Sequence, residues 1–109
     1  VIRRTVSVLI FIVLSAVSQP ASASTLVSAK IMQMTMKVHV CEESAAGWHV
    51  HGPKYFGGLG WLDATWQEFK LPGFPARADL ATPQQQALAM ARFAARYGWP
   101  DQSGCSGGY

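Results

Sequence analysis

Cys41-Glu42-Glu43-Ser44 opens a run that continues through Trp48, Tyr55-Phe56-Gly57-Gly58-Leu59, Thr65-Trp66 and Arg77-Ala78-Asp79-Leu80-Ala81-Thr82 to a second cysteine, Cys105. It combines cysteines that can close it, adjacent acids beside the first cysteine, and aromatic residues interleaved with glycines. A carboxylic acid packed near tryptophan in a partly dry cleft resists ionisation, which suits it to proton transfer near neutral pH. Trp48, Tyr55 and Trp61 are the candidate walls of such a cleft.

Upstream, Arg3 and Arg4 precede an apolar stretch from Val6 to Val17, and Ala21-Ser22-Ala23 supplies a small-x-small cleavage site. These are the parts of a secretory signal peptide over residues 1–23. Gln19-Pro20 interrupts the stretch before it reaches the ~18 residues of a membrane span. An uncleaved anchor is the alternative; export with cleavage predicts a secreted product with no stable membrane association.

The chain has 109 residues, with nine Lys and Arg against six Asp and Glu. Two of the bases, Arg3 and Arg4, belong to the signal, so the rest is close to neutral. No basic stripe remains, and Lys30, Lys37 and Lys54 stand apart, which argues against a nucleic-acid partner. The residues from Ser24 onward are few enough that one hydrophobic core is marginal and a covalent staple helps. Joining Cys41 to Cys105 closes a loop of about 65 residues and removes about 4 kcal/mol of unfolded-state freedom in the chain-entropy treatment. Free or metal-bound thiols are the alternative, but two cysteines without C-x-x-C spacing make a poor zinc site.

Residues 24–36 form an expected flexible lead-in, followed by one domain over 37–109. Ile31 to Val40 alternates apolar residues with Gln33, Thr35, Lys37 and His39, the period of a strand, while Met32, Met34 and Met36 favour a helix. Gly47 to Gly60 reads as a turn-rich segment. Trp61 to Phe69 predicts a short amphipathic helix, with Trp61, Leu62, Thr65, Trp66 and Phe69 inward and Asp63, Gln67 and Glu68 solvated. Leu71-Pro72-Gly73-Phe74-Pro75 ends it. Thr82 with Pro83 and Gln85 predicts a capping box opening a helix that runs to Tyr97 and stops at Gly98.

The order and spacing of these motifs over residues 37–105 resemble the resuscitation-promoting factor domain, whose pattern runs roughly C-E-S-G-G-N-W, Y-x-G-G-L-Q-F, T-W, A-D-L-A-T and C. The resemblance implies a mainly α (α+β) fold, a small lysozyme-like domain closed by one disulfide, with a helix before the Cys-Glu pair from about Met36. It implies a transglycosylase-like enzyme that cuts the β-1,4 bond between N-acetylmuramic acid and N-acetylglucosamine. Peptidoglycan glycan strands are then the partner, other cell-wall hydrolases are candidate companions, and a monomer in the wall of an actinobacterium is expected.

In that family the acid follows the cysteine, which selects Glu42. The interval from Cys41 to Trp48 is one residue longer than the family's, however, so counting back from the tryptophan selects Glu43 as the alternative. A glycosidic bond breaks through an oxocarbenium-like state, and a hydrolase needs a second carboxylate, for which Asp63 is the candidate. A lytic transglycosylase needs one acid: it protonates the bridge oxygen, then takes the proton of the muramic acid C6 hydroxyl as that oxygen attacks C1. The resemblance makes Thr65 a substrate contact, while Trp66 reads as core. Trp48, Tyr55 and Trp61 are expected to meet sugar faces, and Gly57 and Gly58 to bring backbone close to the ligand. His49 and His51 are expected as hydrogen-bond donors in the cleft. The family's glutamines are replaced by Gly60 and Tyr97, which points to an altered subsite. His49-Val50-His51 with His39 also suggests zinc, but no fourth ligand has characteristic spacing, and a one-acid mechanism needs neither metal nor cofactor; none is expected.

A non-catalytic peptidoglycan-binding or signalling module is the alternative reading from another class.

Overall fold

The computed structural model describes residues 27–43 and 45–105. The expected signal peptide, the first residues of the lead-in and the last four residues lie outside them. The elements are helix α1 (Ala29–Glu43), strands β1 (Tyr55–Phe56) and β2 (Trp61–Leu62), helix α2 (Asp63–Phe69), a 3₁₀ turn (Ala78–Leu80) and helix α3 (Pro83–Tyr97). Helices dominate, with one two-stranded antiparallel hairpin that pairs Tyr55 with Leu62 and Phe56 with Trp61. The fold is small, mainly α with this β contribution. No helix among the described residues is long and apolar enough to cross a membrane.

Helix α1 begins seven residues before Met36, so residues 29–36 are helical and neither flexible lead-in nor strand. Ser28 caps it, its Oγ accepting from the Ile31 N–H at 3.1 Å. The inward stripe is Thr35, Val38, His39 and Glu42, spaced i, i+3, i+4 and i+7, of which the first three are buried. Its polar members hide the helical period and leave an apparent alternation of two. Burial of a hydroxyl and an imidazole is met internally: Thr35 Oγ1 lies 2.7 Å from the Ile31 carbonyl, and His39 Nδ1 lies 2.6 Å from the Gly58 carbonyl.

Cys41 and Cys105 form the expected disulfide, which rules out the free or metal-bound thiols. It ties the last turn of α1 to the chain beyond α3. The expected helix at Trp61 starts two residues later, because Trp61 and Leu62 are drawn into the hairpin ladder. Trp66 and Phe69 still face inward, and Asp63, Gln67 and Glu68 remain exposed. Arg92 of α3 closes the C-terminal end of α2, donating from one nitrogen to the Phe69 and Lys70 carbonyls at 2.6 and 3.0 Å.

Helix α3 has the expected bounds and cap. Thr82 Oγ1 accepts from the Gln85 N–H at 3.1 Å, Gln85 Oε1 accepts from the Thr82 N–H at 3.0 Å, and Gly98 ends the helix. Between α1, α2 and α3 sit Val38, Leu59, Trp61, Trp66, Phe69, Phe74 and Met90. Edge-to-face contacts join Trp61 to Trp66 and Phe93, with centroids 5.5 and 6.4 Å apart.

One polar side chain crosses this core. Gln86 is fully buried and makes three hydrogen bonds to backbone far from it in sequence or conformation. Its Oε1 accepts from the Gly58 N–H at 2.8 Å, and its Nε2 donates to the Trp48 carbonyl at 2.9 Å and the Ala81 carbonyl at 3.1 Å. Replacing it with leucine strands one donor and two acceptors in the interior. Gln86→Leu is therefore expected to lower the free energy of unfolding by about 3–5 kcal/mol, whereas Gln85→Leu, which loses only the exposed cap, costs about 1 kcal/mol. Urea denaturation of the two variants beside the parent checks the difference.

Candidate functional site

The register of α1 separates the two acids. Glu42 continues the packed stripe, whereas Glu43, likewise half-buried, follows Met36 and Val40 at i, i+4 and i+7 on a different stripe of the helix. Glu42 is half-buried, one of its carboxylate oxygens (Oε1) is shielded from solvent, and its side chain lies against the hairpin turn. A β-carbon built on Gly60 would stand 3.4 Å from Glu42 Oε2 and 3.5 Å from Glu42 Cβ. Those are ordinary contact distances, so it is the backbone, with φ of +67°, that holds this position as glycine.

The neighbouring glycines serve packing. A β-carbon on Gly58 would come within 2.5 Å of Trp48 Cε3, and Gly58 uses its N–H on Gln86 and its carbonyl on His39. Gly57, with φ of +75°, donates its N–H to the Val50 carbonyl at 2.8 Å. Both are buried. The expectation that their backbone approaches a ligand is corrected: both N–H groups and the Gly58 carbonyl are already used inside the fold. Trp61 is corrected as well. It is wholly buried between Trp66 and Phe93 and has no face to offer a sugar.

Trp48 is half-buried and stacks on His39, with centroids 4.1 Å apart and planes within 9°. Tyr55 is half-buried, with the Lys54 ammonium 5.4 Å from its ring centre. Thr65 is half-buried and lines a shallow depression of about 390 Å³ with Glu68, Phe69, Phe93 and Tyr97. Tyr97 is among the most exposed large side chains, and α2 and α3 bring it together with Thr65. Asp63, the candidate second carboxylate, is exposed and accepts from Gln67 Nε2 at 3.3 Å. A larger groove of about 460 Å³ lies on the other side of α1, lined by Gln33, Met36, Lys37, Val40 and the chain around Asp101. Glu42 lines neither hollow.

His49 and His51 converge on Asp79 of the Ala-Asp-Leu-Ala-Thr motif. His49 Nδ1 lies 2.8 Å from the Asp79 carbonyl, and His51 Nδ1 lies 3.2 Å from Asp79 Oδ2. Arg77 completes the cluster, its Nε 3.0 Å from Oδ1 and its second guanidinium nitrogen 3.1 Å from Oδ2. Burial opposes ionisation of Asp79, but the hydrogen bonds from Arg77 and His51 and the charge of Arg77 outweigh it and hold the carboxyl below its usual range. The loop after Trp48 is thereby pinned to the 3₁₀ turn.

Sequence reasoning weighs His39 only as a metal ligand and passes over its packing role, Gln86 and the anchoring role of Asp79. Gln86 has a signal in the spacing of Gln86, Met90, Phe93 and Tyr97 at i, i+4, i+7 and i+11 along α3. No family model matches this chain, and neither the curated proteins nor the solved structures contain a match.

The Asp79 cluster has a defined pH signature. A carboxyl whose pKa is lowered on folding stabilises the protein above the unfolded value, near 3.9, and ceases to do so as pH falls through the lower folded value. Asp79→Asn is expected to cost about 1–2 kcal/mol at neutral pH, allowing for solvent screening at the half-exposed Arg77. The gap between variant and parent should be flat from about pH 5 upward and shrink below about pH 4. Denaturation midpoints across that range measure it.

Proposed function

We propose that this chain is a secreted peptidoglycan-cleaving glycosidase of the lysozyme-like, transglycosylase-like kind that its motifs resemble, with Glu42 as acid and base. What supports the reading most is the setting of that carboxyl. It follows the disulfide-bonded Cys41, lies on the packed face of α1 with one oxygen shielded, and abuts Gly60 at the hairpin turn. A carboxyl so held is pre-oriented for proton transfer, the main requirement of glycosidic cleavage. Glu43, also half-buried, lies off the stripe of Thr35, Val38 and His39 and is the weaker candidate.

The lytic transglycosylase route is favoured over hydrolysis because Asp63 is an exposed residue that pairs with its own helix. Glu42 protonates the oxygen between N-acetylmuramic acid and N-acetylglucosamine as the C1–O bond breaks. Its carboxylate then accepts the C6 hydroxyl proton as O6 bonds to C1, which returns the acid and leaves a 1,6-anhydro end. Thr65 and Tyr97, in one depression, and Trp48 are the substrate contacts of this proposal.

A second reading, a peptidoglycan-binding module without catalysis, is favoured by one observation: Glu42 lines neither the depression at Thr65 and Tyr97 nor the groove beside α1. Both readings predict sedimentation with purified cell wall. Mass spectrometry of soluble products from peptidoglycan separates them. The enzyme is expected to release 1,6-anhydro muropeptides, with release lost in Glu42→Gln and retained in Glu43→Gln. Wall binding without products would leave the binding module, and reducing ends would make the protein a hydrolase.

A further inference from the structure

His49 and His51 fall in the stretch that reads as turn-rich, but in the structure residues 50–52 pair with the hairpin and His49 immediately precedes them. Val50 accepts from the Gly57 N–H at 2.8 Å, His51 forms an antiparallel bridge with Phe56, and Gly52 donates to the Tyr55 carbonyl at 3.0 Å. Both imidazoles reach one residue, Asp79, which brings the two rings together. Val50 is half-buried, while the His51 side chain is more than half exposed.

Their tautomers follow from their partners. The acceptors they meet are the carbonyl oxygen and the ionised carboxylate of Asp79, neither of which can donate. Each ring therefore carries its proton on Nδ1 when neutral, which leaves a lone pair on each Nε2. An imidazole whose other nitrogen donates to a carboxylate or a backbone carbonyl has the arrangement that recurs behind metal-bound histidine: the outer partner fixes the ring and makes the free nitrogen more basic. Here one residue, Asp79, supplies both kinds of partner. Arg77 holds that residue in place from its other side. His39 does not compete, since it is buried, stacked on Trp48 and bonded to Gly58.

We propose that His49 and His51 form a two-imidazole site for a borderline divalent transition ion of the zinc and copper class, with Asp79 as the positioning residue for both rings. Among the described residues no group of three or more ligating side chains converges, so water or an oxygen of a bound molecule fills the other positions, and the ion exchanges readily. Imidazole donors suit these ions and not magnesium or calcium. An ion held there braces the segment that follows Trp48. The proposal is independent of the glycosidase reading.

Isothermal titration of the full chain with Zn²⁺, and with Mg²⁺ as the control, tests it. One Zn²⁺ per chain is expected, with no Mg²⁺ binding. His49→Asn and His51→Asn keep a side-chain N–H donor for Asp79, and each is expected to weaken Zn²⁺ binding at least about tenfold, since losing an outer partner alone costs about 10–100-fold. Absence of saturable Zn²⁺ binding, or a smaller loss in either variant, overturns the proposal. Paramagnetic broadening by Cu²⁺ in the unmodified protein probes the same site without mutation. Ring protons of His49 and His51 should broaden first while those of His39 stay sharp, and any other order overturns the site.

Discussion

A single buried amide holds the loop-rich half of this domain together. Gln86 sits on α3 within the hydrophobic core, yet its three hydrogen bonds reach the loop after α1, the hairpin turn and the exit of the 3₁₀ turn. None of these segments has enough regular structure to satisfy its own backbone. A polar group buried without a partner costs more than a made hydrogen bond contributes, so the glutamine acts less as glue than as the condition under which these loops can be buried at all.

The glycine turn is built around that condition. Gly58 must be bare because Trp48 and His39 close on it from one side while Gln86 takes its N–H. Its carbonyl takes the His39 imidazole, which brings the packed face of α1 against the turn, and Glu42 arrives one helical turn later against Gly60. The position of the candidate acid is thus a consequence of how α1 docks. The disulfide at Cys41 secures the same end of α1 from the chain beyond α3. Asp79 performs a parallel task for the outer wall, where it gathers His49, His51 and Arg77.

Much of this frame is legible in the residues. The cap, bounds and stop of α3 follow from Thr82, Pro83, Gln85 and Gly98, because capping chemistry is local. The cysteine pair is legible for a similar reason: a small domain with two cysteines and no C-x-x-C spacing has few ways to use them. Helix α1 is hidden upstream of Met36 because its buried stripe is Thr35, Val38, His39 and Glu42. Three polar residues in a packed face defeat any periodicity count that looks for apolar ones. Trp61 misleads for the opposite reason. Its apolar spacing with Thr65 and Trp66 fits a helix, but ladder pairing with Phe56, a tertiary matter, draws it into a strand and the core. Motif counting does not separate Glu42 from Glu43, whereas the helical register places them on different faces.

The most direct test of the glutamine node is amide hydrogen exchange at Gly58. Its N–H lies in a turn, outside any helix or strand ladder, and its acceptor is the buried Gln86 side chain. If the node organises the loops, this amide is protected to the level of global unfolding, as strongly as the interior of α3. Exchange at the rate of an open turn, with α3 still protected, would contradict this and leave the loops held by the disulfide and the Asp79 cluster alone.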